Sequence, residues 1–170
     1  MEIPILITDR LLLQPTSFDY EAQRWQAVNN QVTHYMTRHP PQSIEEAQPF
    51  RQLCIDENNE GSNRHRDIVS PDASNRYGAV DIRDIHSSLP NVGIWIAEKH
   101  QWRWFAYEAL SRVVEYYFSH YATSLVYTVA LENTASQRLV EKVWWRIVIW
   151  RTWVLANKWL PTIKYIIEKK

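Results

Sequence analysis

Apolar positions recur along this chain with two different periods, and the switches between them mark its elements. Arg10 to Pro15 (RLLLQP) predicts a strand. Phe18, Ala22, Trp25 and Val28 then fall on one helical face, with Ser17 or Asp19 as candidate caps. Ser43 and Glu46 form an S-x-x-E capping box, followed by Ala47, Phe50 and Cys54 at helical spacing. Segments 58–64 and 70–76 are rich in Asn, Ser, Asp and Gly and predict turns. Strands are predicted at His65–Val69, Tyr77–Ile85 and Val92–Ala97. A broad apolar face (Ala106, Ala109, Leu110, Val113, Val114, Tyr117) predicts the next helix. Leu125–Ala130 predicts a strand, and Asn133 caps a helix with Ala135, Leu139, Val140 and Val143 inward. Arg146–Val154 and Lys158–Ile167 close the chain as a strand pair. The order is β-α-α-β-β-β-α-β-α-β-β. Three successive strands predict an antiparallel meander, and the helix between Ala97 and Leu125 a parallel crossover. A mixed sheet with helices on both faces follows.

Composition narrows the function classes. A chain of 170 residues is the size of one domain. The 19 basic and 19 acidic residues balance, so overall charge gives no support for binding nucleic acid or an acidic membrane. The single cysteine, Cys54, excludes an internal disulfide and the paired-cysteine metal patterns, so no metal is expected. The start MEIPILITDR has no basic region and no long apolar run, and no stretch approaches a membrane span. A cytoplasmic protein is expected.

The segment Glu98–Leu110 (EKHQWRWFAYEAL) carries the candidate chemistry. It joins a strand to a helix, and the amides opening a helix bind phosphate there. Lys99, His100 and Arg103 fit such a site. Phosphate loops commonly use glycine for positive φ and close approach, whereas Trp102 and Trp104 stand here. The other reading of these residues is a solvated basic turn with two aromatics packed nearby.

Gln101, Trp102, Arg103, Trp104, Phe105 and Ala106 resemble the Q/R-x-x-G-x-G/A loop of the GNAT N-acetyltransferase superfamily, commonly Q-G-x-G-x-A. Thr8–Leu13 (TDRLLL) resembles the opening T-x-R-L-x-L of the RimJ/RimL-type members. Gly93–Ala97 (GIWIA) resembles the strand before their loop. Asn133–Val143 (NTASQRLVEKV) resembles their N-x-x-S-x-x-x-x-E-K helix. The resemblance spans nearly the whole chain. It implies a single α/β (α+β) domain over 1–170, with a mixed, mostly antiparallel sheet of about seven strands.

The resemblance also implies acetyl-CoA as co-substrate, with its pyrophosphate on the loop amides and its pantetheine arm between two splayed strands. A primary amine, small or peptidic, a protein N-terminus included, attacks the thioester directly. Carried over residue by residue, Gln101 to Ala106 form the pyrophosphate loop, with Ile96 and Ala97 on the strand end before it. Asn133 sits beside the pantetheine arm. Ser136 is the candidate acid for the departing thiolate and Glu98 the candidate base, with Asp81 and Asp84 as rivals. Pairing of the closing strands between subunits, as in a homodimer, is a further implication. Cys54 and Trp95 read as packing residues, and His100 as solvated.

The chain departs from the family pattern at its glycines. Trp102, Trp104, Trp144 and Trp145 stand where the pattern has glycine or, at the last, glycine or phenylalanine; Trp150 is a further candidate. Glycine occurs 3 times and tryptophan 9 times, where average usage gives about 12 glycines. A variant altered to block the cofactor, a natural relative that no longer binds it, and a misread sequence each account for this. The alternative function is therefore a non-catalytic binding or sensing domain on the same scaffold. A third, stacking of nucleic-acid bases on Trp144 to Trp153 beside Arg146 and Arg151, is opposed by the zero net charge.

Overall fold

The chain opens with a short hairpin, β1 (Leu6–Ile7) and β2 (Leu12–Pro15), which continues into three helices, α1 (Glu21–Ala27), α2 (Asn30–Thr33) and α3 (Ile44–Glu60). A meander follows: β3 (Arg64–Val69), β4 (Arg76–Arg83) and β5 (Asn91–Ile96). A single 3-10 turn (Glu98–His100) leads to α4 (Phe105–His120). Then come β6 (Ser124–Ala130), α5 (Thr134–Val143), β7 (Ile147–Leu155) and β8 (Trp159–Glu168). The structure, a computed structural model, describes residues 3–36, 39–121, 124–143, 147–155 and 159–169, of which 147–155 and 159–160 as backbone only. Trp144, Trp145 and Arg146 lie outside the described residues, as do the side chains of Trp150, Arg151 and Trp153.

Among the described residues one sheet of eight strands runs in the order β1-β2-β3-β4-β5-β6-β8-β7. All pairs are antiparallel except β5–β6. α4 provides the crossover that a parallel pair requires. Its face of Phe105, Ala109, Leu110, Val113, Val114 and Tyr117 is buried in one core with Leu13, Ile68, Val80, Ile82 and Tyr165. The predicted order holds, with two elements added. β1 is too short to show a period, and α2 is one turn fixed by Asn29, whose Oδ1 accepts from the amides of Gln31 (3.1 Å) and Val32 (3.0 Å).

The first helix departs from the sequence reading. Its N-cap is Tyr20, without a side-chain cap, because the Ser17 hydroxyl bonds the Asp19 carboxylate instead. Phe18 and Ala22 are exposed, and the buried residue of α1 is Arg24. Its Nη2 lies 2.7 and 2.8 Å from the two oxygens of Asp67 on β3, which has no exposed surface. Arg76 Nε donates to the same carboxylate (2.7 Å), as does Thr16 Oγ1 (3.0 Å). Arg51 on α3 donates to Thr16 Oγ1 (3.0 Å). The helices on this face are thus anchored by a buried charge hub as well as by apolar contact. Burial alone would raise the Asp67 pKa, but Arg76 and Arg24 hold it below the usual carboxylate range.

Local punctuation on α3 follows the sequence more closely. Ser43 Oγ accepts from the Glu46 amide (3.2 Å), while the Glu46 carboxylate reaches the amide of Gln42 (2.6 Å). The box therefore closes one residue earlier than the S-x-x-E pattern specifies. The helix ends on Gly61 at φ 82°, the left-handed cap that glycine adopts without strain.

Candidate active site

β5 and β6 are in register at only two positions, Asn91↔Val126 and Val92↔Tyr127. Beyond Val92 the ladder stops, and Gly93–Ile96 separate from Thr128–Ala130. The Asn91 amide donates to Thr128 Oγ1 (3.1 Å) just beyond the last pair. The gap opens into a cleft of about 1910 Å³, walled by α1 to α3 on one side and by the start of α5 on the other.

At the head of the gap sits the 101–106 loop. Gln101 folds back, donating from Nε2 to the carbonyl of Ile96 (3.1 Å), and the Ala97 amide donates to Tyr77 (2.8 Å). Trp102 (φ 62°) and Trp104 (φ 67°) both hold the left-handed backbone that favours glycine. Trp104 is the N-cap of α4 and offers no capping side chain. The amides of Trp102 to Tyr107 take no hydrogen-bond partner among the described residues. The loop thus has the backbone of an anion cradle. Its indoles lie mostly outward: Trp102 is 85% exposed and Trp104 57%. The Lys142 ammonium stands 4.1 Å from the Trp104 ring centre.

The loop is braced from behind. Phe105 stacks on Tyr77 (4.7 Å between centroids), with the Arg10 and Arg103 guanidinium groups over its ring at 4.9 and 4.7 Å. Arg10 also pairs with Glu108 (2.7 Å) and donates to the carbonyl of Arg103 (3.2 Å). Thr8 Oγ1 donates to Glu108 at 2.5 Å. The TDR segment at the start of the chain is therefore a clamp on the loop. Burial would raise the Glu108 pKa, but the bonds from Thr8 and Arg10 outweigh it and hold the carboxyl below its ordinary value.

The opposite wall brings Ser136 to a partner that the sequence reading did not name. Asn133 Oδ1 accepts from the Ser136 amide (3.1 Å), fixing the first turn of α5. Ser136 Oγ lies 2.5 Å from the hydroxyl of Tyr127, on β6 at the last paired position. Burial pushes the Tyr127 phenol up to about 12, so it stays protonated. The two hydroxyls can pass a proton to a base placed in the gap. Tyr127 was hidden in the pattern because it occupies an inward position of an apolar strand.

The candidate carboxylates separate. Asp81 lines the cleft, opposite Gly93. A Cβ at Gly93 would stand 3.0 Å from Asp81 Oδ1, so the glycine leaves room for the carboxyl. Burial raises the Asp81 pKa, opposed by Arg83, whose Nε is 2.8 Å from Oδ2. Glu98 is exposed on the 3-10 turn, is not part of the cleft wall, and accepts from the Asn29 amide (3.3 Å). Asp84 is exposed in the turn after β4, at φ 56° and outside that wall. Neither is brought to Ser136. The expectation that His100 is solvated is corrected. It is half-buried against Tyr77, both ring nitrogens are buried with no partner among the described residues, and burial lowers its pKa, helped by Lys99 and Arg103. Cys54 is buried, as expected of a packing residue, at 2% exposure.

Comparison with known proteins agrees with this architecture. The sequence model of the acetyltransferase (GNAT) domain matches residues 10–143. The uncharacterized N-acetyltransferase YoaA of Bacillus subtilis (strain 168) is 32% identical over 144 residues, covering 82% of this chain and 81% of that protein. Two solved structures share the fold at low identity. One is an acetyltransferase from Salmonella typhimurium that modifies the N-terminal serine of a 50S ribosomal subunit protein (TM-score 0.82, 14% identity, 98% and 100% of the chains covered). The other is spermidine N-acetyltransferase from Vibrio cholerae with CoA and spermine (TM-score 0.74, 18% identity, 95% and 96% covered). With the domain match over most of its length, the splayed strands and the cradle-shaped loop, the chain belongs to the GNAT acetyltransferase family.

Proposed function

We propose that this protein transfers an acetyl group from acetyl-CoA to a primary amine. The observation that carries the reading is the gap between β5 and β6, headed by the unpartnered amides of the 102–107 segment. The residues present fit the co-substrate at the level of the backbone. Amides at a helix N-terminus suit a pyrophosphate, and the missing ladder leaves strand groups free to hold an extended, amide-bearing arm. When bound, acetyl-CoA supplies the activated acyl group.

The side chains around the gap have the chemistry for the remaining steps. Asp81, in the cleft, takes the proton that the ammonium must lose before attack. Its raised pKa moves it toward the working range of a base. It takes this role in preference to Glu98, which is exposed and outside the cleft wall. The Tyr127–Ser136 pair returns a proton to the leaving thiolate. Asn133 holds the turn that presents Ser136. Acceptors of the relatives include a protein N-terminus and a polyamine, and an amine of either class suits a carboxylate-bearing cleft.

Trp102 and Trp104 favour a second reading, a binding domain with an impaired cradle, because both hold a backbone strained for any residue but glycine. Titration calorimetry of acetyl-CoA into the protein and into W102G/W104G decides. Binding by both, followed by mass gain of one acetyl group on an amine acceptor, supports the enzyme. Binding by the double variant alone supports the impaired cradle, and binding by neither sinks both the acetyl-CoA site and the transfer reaction.

A further inference from the structure

One wall of the cleft carries side chains that acetyl transfer leaves unused. Cys54 and Glu57 stand three residues apart on α3 and so share a side of the helix. The Gly61 turn reverses the chain, and β3 returns His65 beside them. Its Nε2 lies 2.6 Å from Glu57 Oε2. The Cys54 thiol, a Glu57 carboxylate oxygen and a His65 ring nitrogen all lie within 4.8 Å of one another. All three line the cleft. Asp81, the partner of His65 across β3 and β4, lies in the same wall.

Thiolate, imidazole and carboxylate are the ligand classes that zinc takes. The paired-cysteine test excludes zinc fingers but is blind to a mixed C-x2-E-x7-H set. In a tetrahedral zinc site the ligand atoms stand roughly 3.3–3.8 Å from one another. The His65–Glu57 pair must widen and the thiol close in, shifts of about an ångström that side-chain rotation supplies. We propose that Cys54, Glu57 and His65 form a binding site for a zinc-type divalent cation on the cleft wall, with water in the fourth position. The cation takes up the imidazole lone pair and displaces the thiol proton, so binding releases a proton to solvent. The buried thiol, pushed up to about 11, is inert as a nucleophile yet remains a soft donor once a cation replaces its proton. The site stands independently of the acetyl-transfer reading.

Cobalt(II) titrated into chelator-treated protein tests the site directly. The expected result is a near-ultraviolet thiolate-to-cobalt charge-transfer band with tetrahedral visible bands, saturating at one cobalt per chain and displaced by zinc. C54S removes the charge-transfer band. H65Q weakens zinc binding by more than the roughly 10–100-fold that loss of an outer hydrogen-bond partner costs. H86Q, at an exposed position, leaves binding unchanged. Absence of the band in the wild-type protein, or zinc binding that survives H65Q undiminished, overturns the proposal. If C54S does not fold, the wild-type spectrum and the H65Q titration decide. Acetyl-CoA calorimetry on the same preparation reads the transfer site separately.

Discussion

At the scale of residues, two tryptophans hold a backbone that the side chain opposes. An L-residue in the left-handed region costs about 1–2 kcal/mol, and glycine gives back part of the relief as unfolded-state entropy. Trp102→Gly removes an indole that is 85% exposed, so little packing is lost. The expected outcome is stabilisation of up to about 1 kcal/mol, read as a rise of roughly 2–4 °C in the unfolding midpoint. Trp104→Gly gains less, because its ring meets Lys142 and Tyr107. The glycine-like positions were legible in the sequence from the Q-x-x-x-x-A frame; which way the indoles turn was not, since φ fixes that and sequence spacing does not. The N-x-x-S spacing was legible too, but the hydroxyl partner of Ser136 was not, because Tyr127 reads as one more apolar strand residue. Tyr127→Phe is expected to lower kcat by about 10²-fold or more if the pair donates the proton, with KM for acetyl-CoA little changed; steady-state kinetics check it.

At the scale of elements, α4 follows from its apolar period, whereas α1 obeys a charge hub that no hydrophobic count detects. Its inward residue is Arg24, and a reader of apolar positions assigns the wrong face. Asp67→Ala leaves Arg24 and Arg76 buried without their carboxylate and is expected to cost about 3–5 kcal/mol, measured by urea unfolding. The clamp on α4 behaves differently with pH. The folded pKa of Glu108 lies below its ordinary value of 4.5, so its contribution is full above that value and is lost as pH falls through the depressed one. Glu108→Gln is expected to flatten this part of the acid limb; melting curves of the two proteins should differ at neutral pH and converge in acid.

At the scale of the whole molecule, the meander and the parallel crossover were readable from element order alone, whereas the seating of β8 between β6 and β7 was not. The cleft was not, since it arises where a ladder ends and where Asp81, Tyr127 and Ser136, far apart in sequence, converge. Among the described residues no helix is long and apolar enough to cross a membrane. The two ladder pairs between β5 and β6, with the Asn91–Thr128 bond, are the sheet's own joint between its halves. Below that joint α4 ties the two halves through one core, and above it a ligand wedged in the gap is expected to act as mortar between the strand ends. Amide exchange in Gly93–Ile96 and in Thr128–Ala130 should therefore slow together when acetyl-CoA is added, and separately move little when either strand end alone is perturbed.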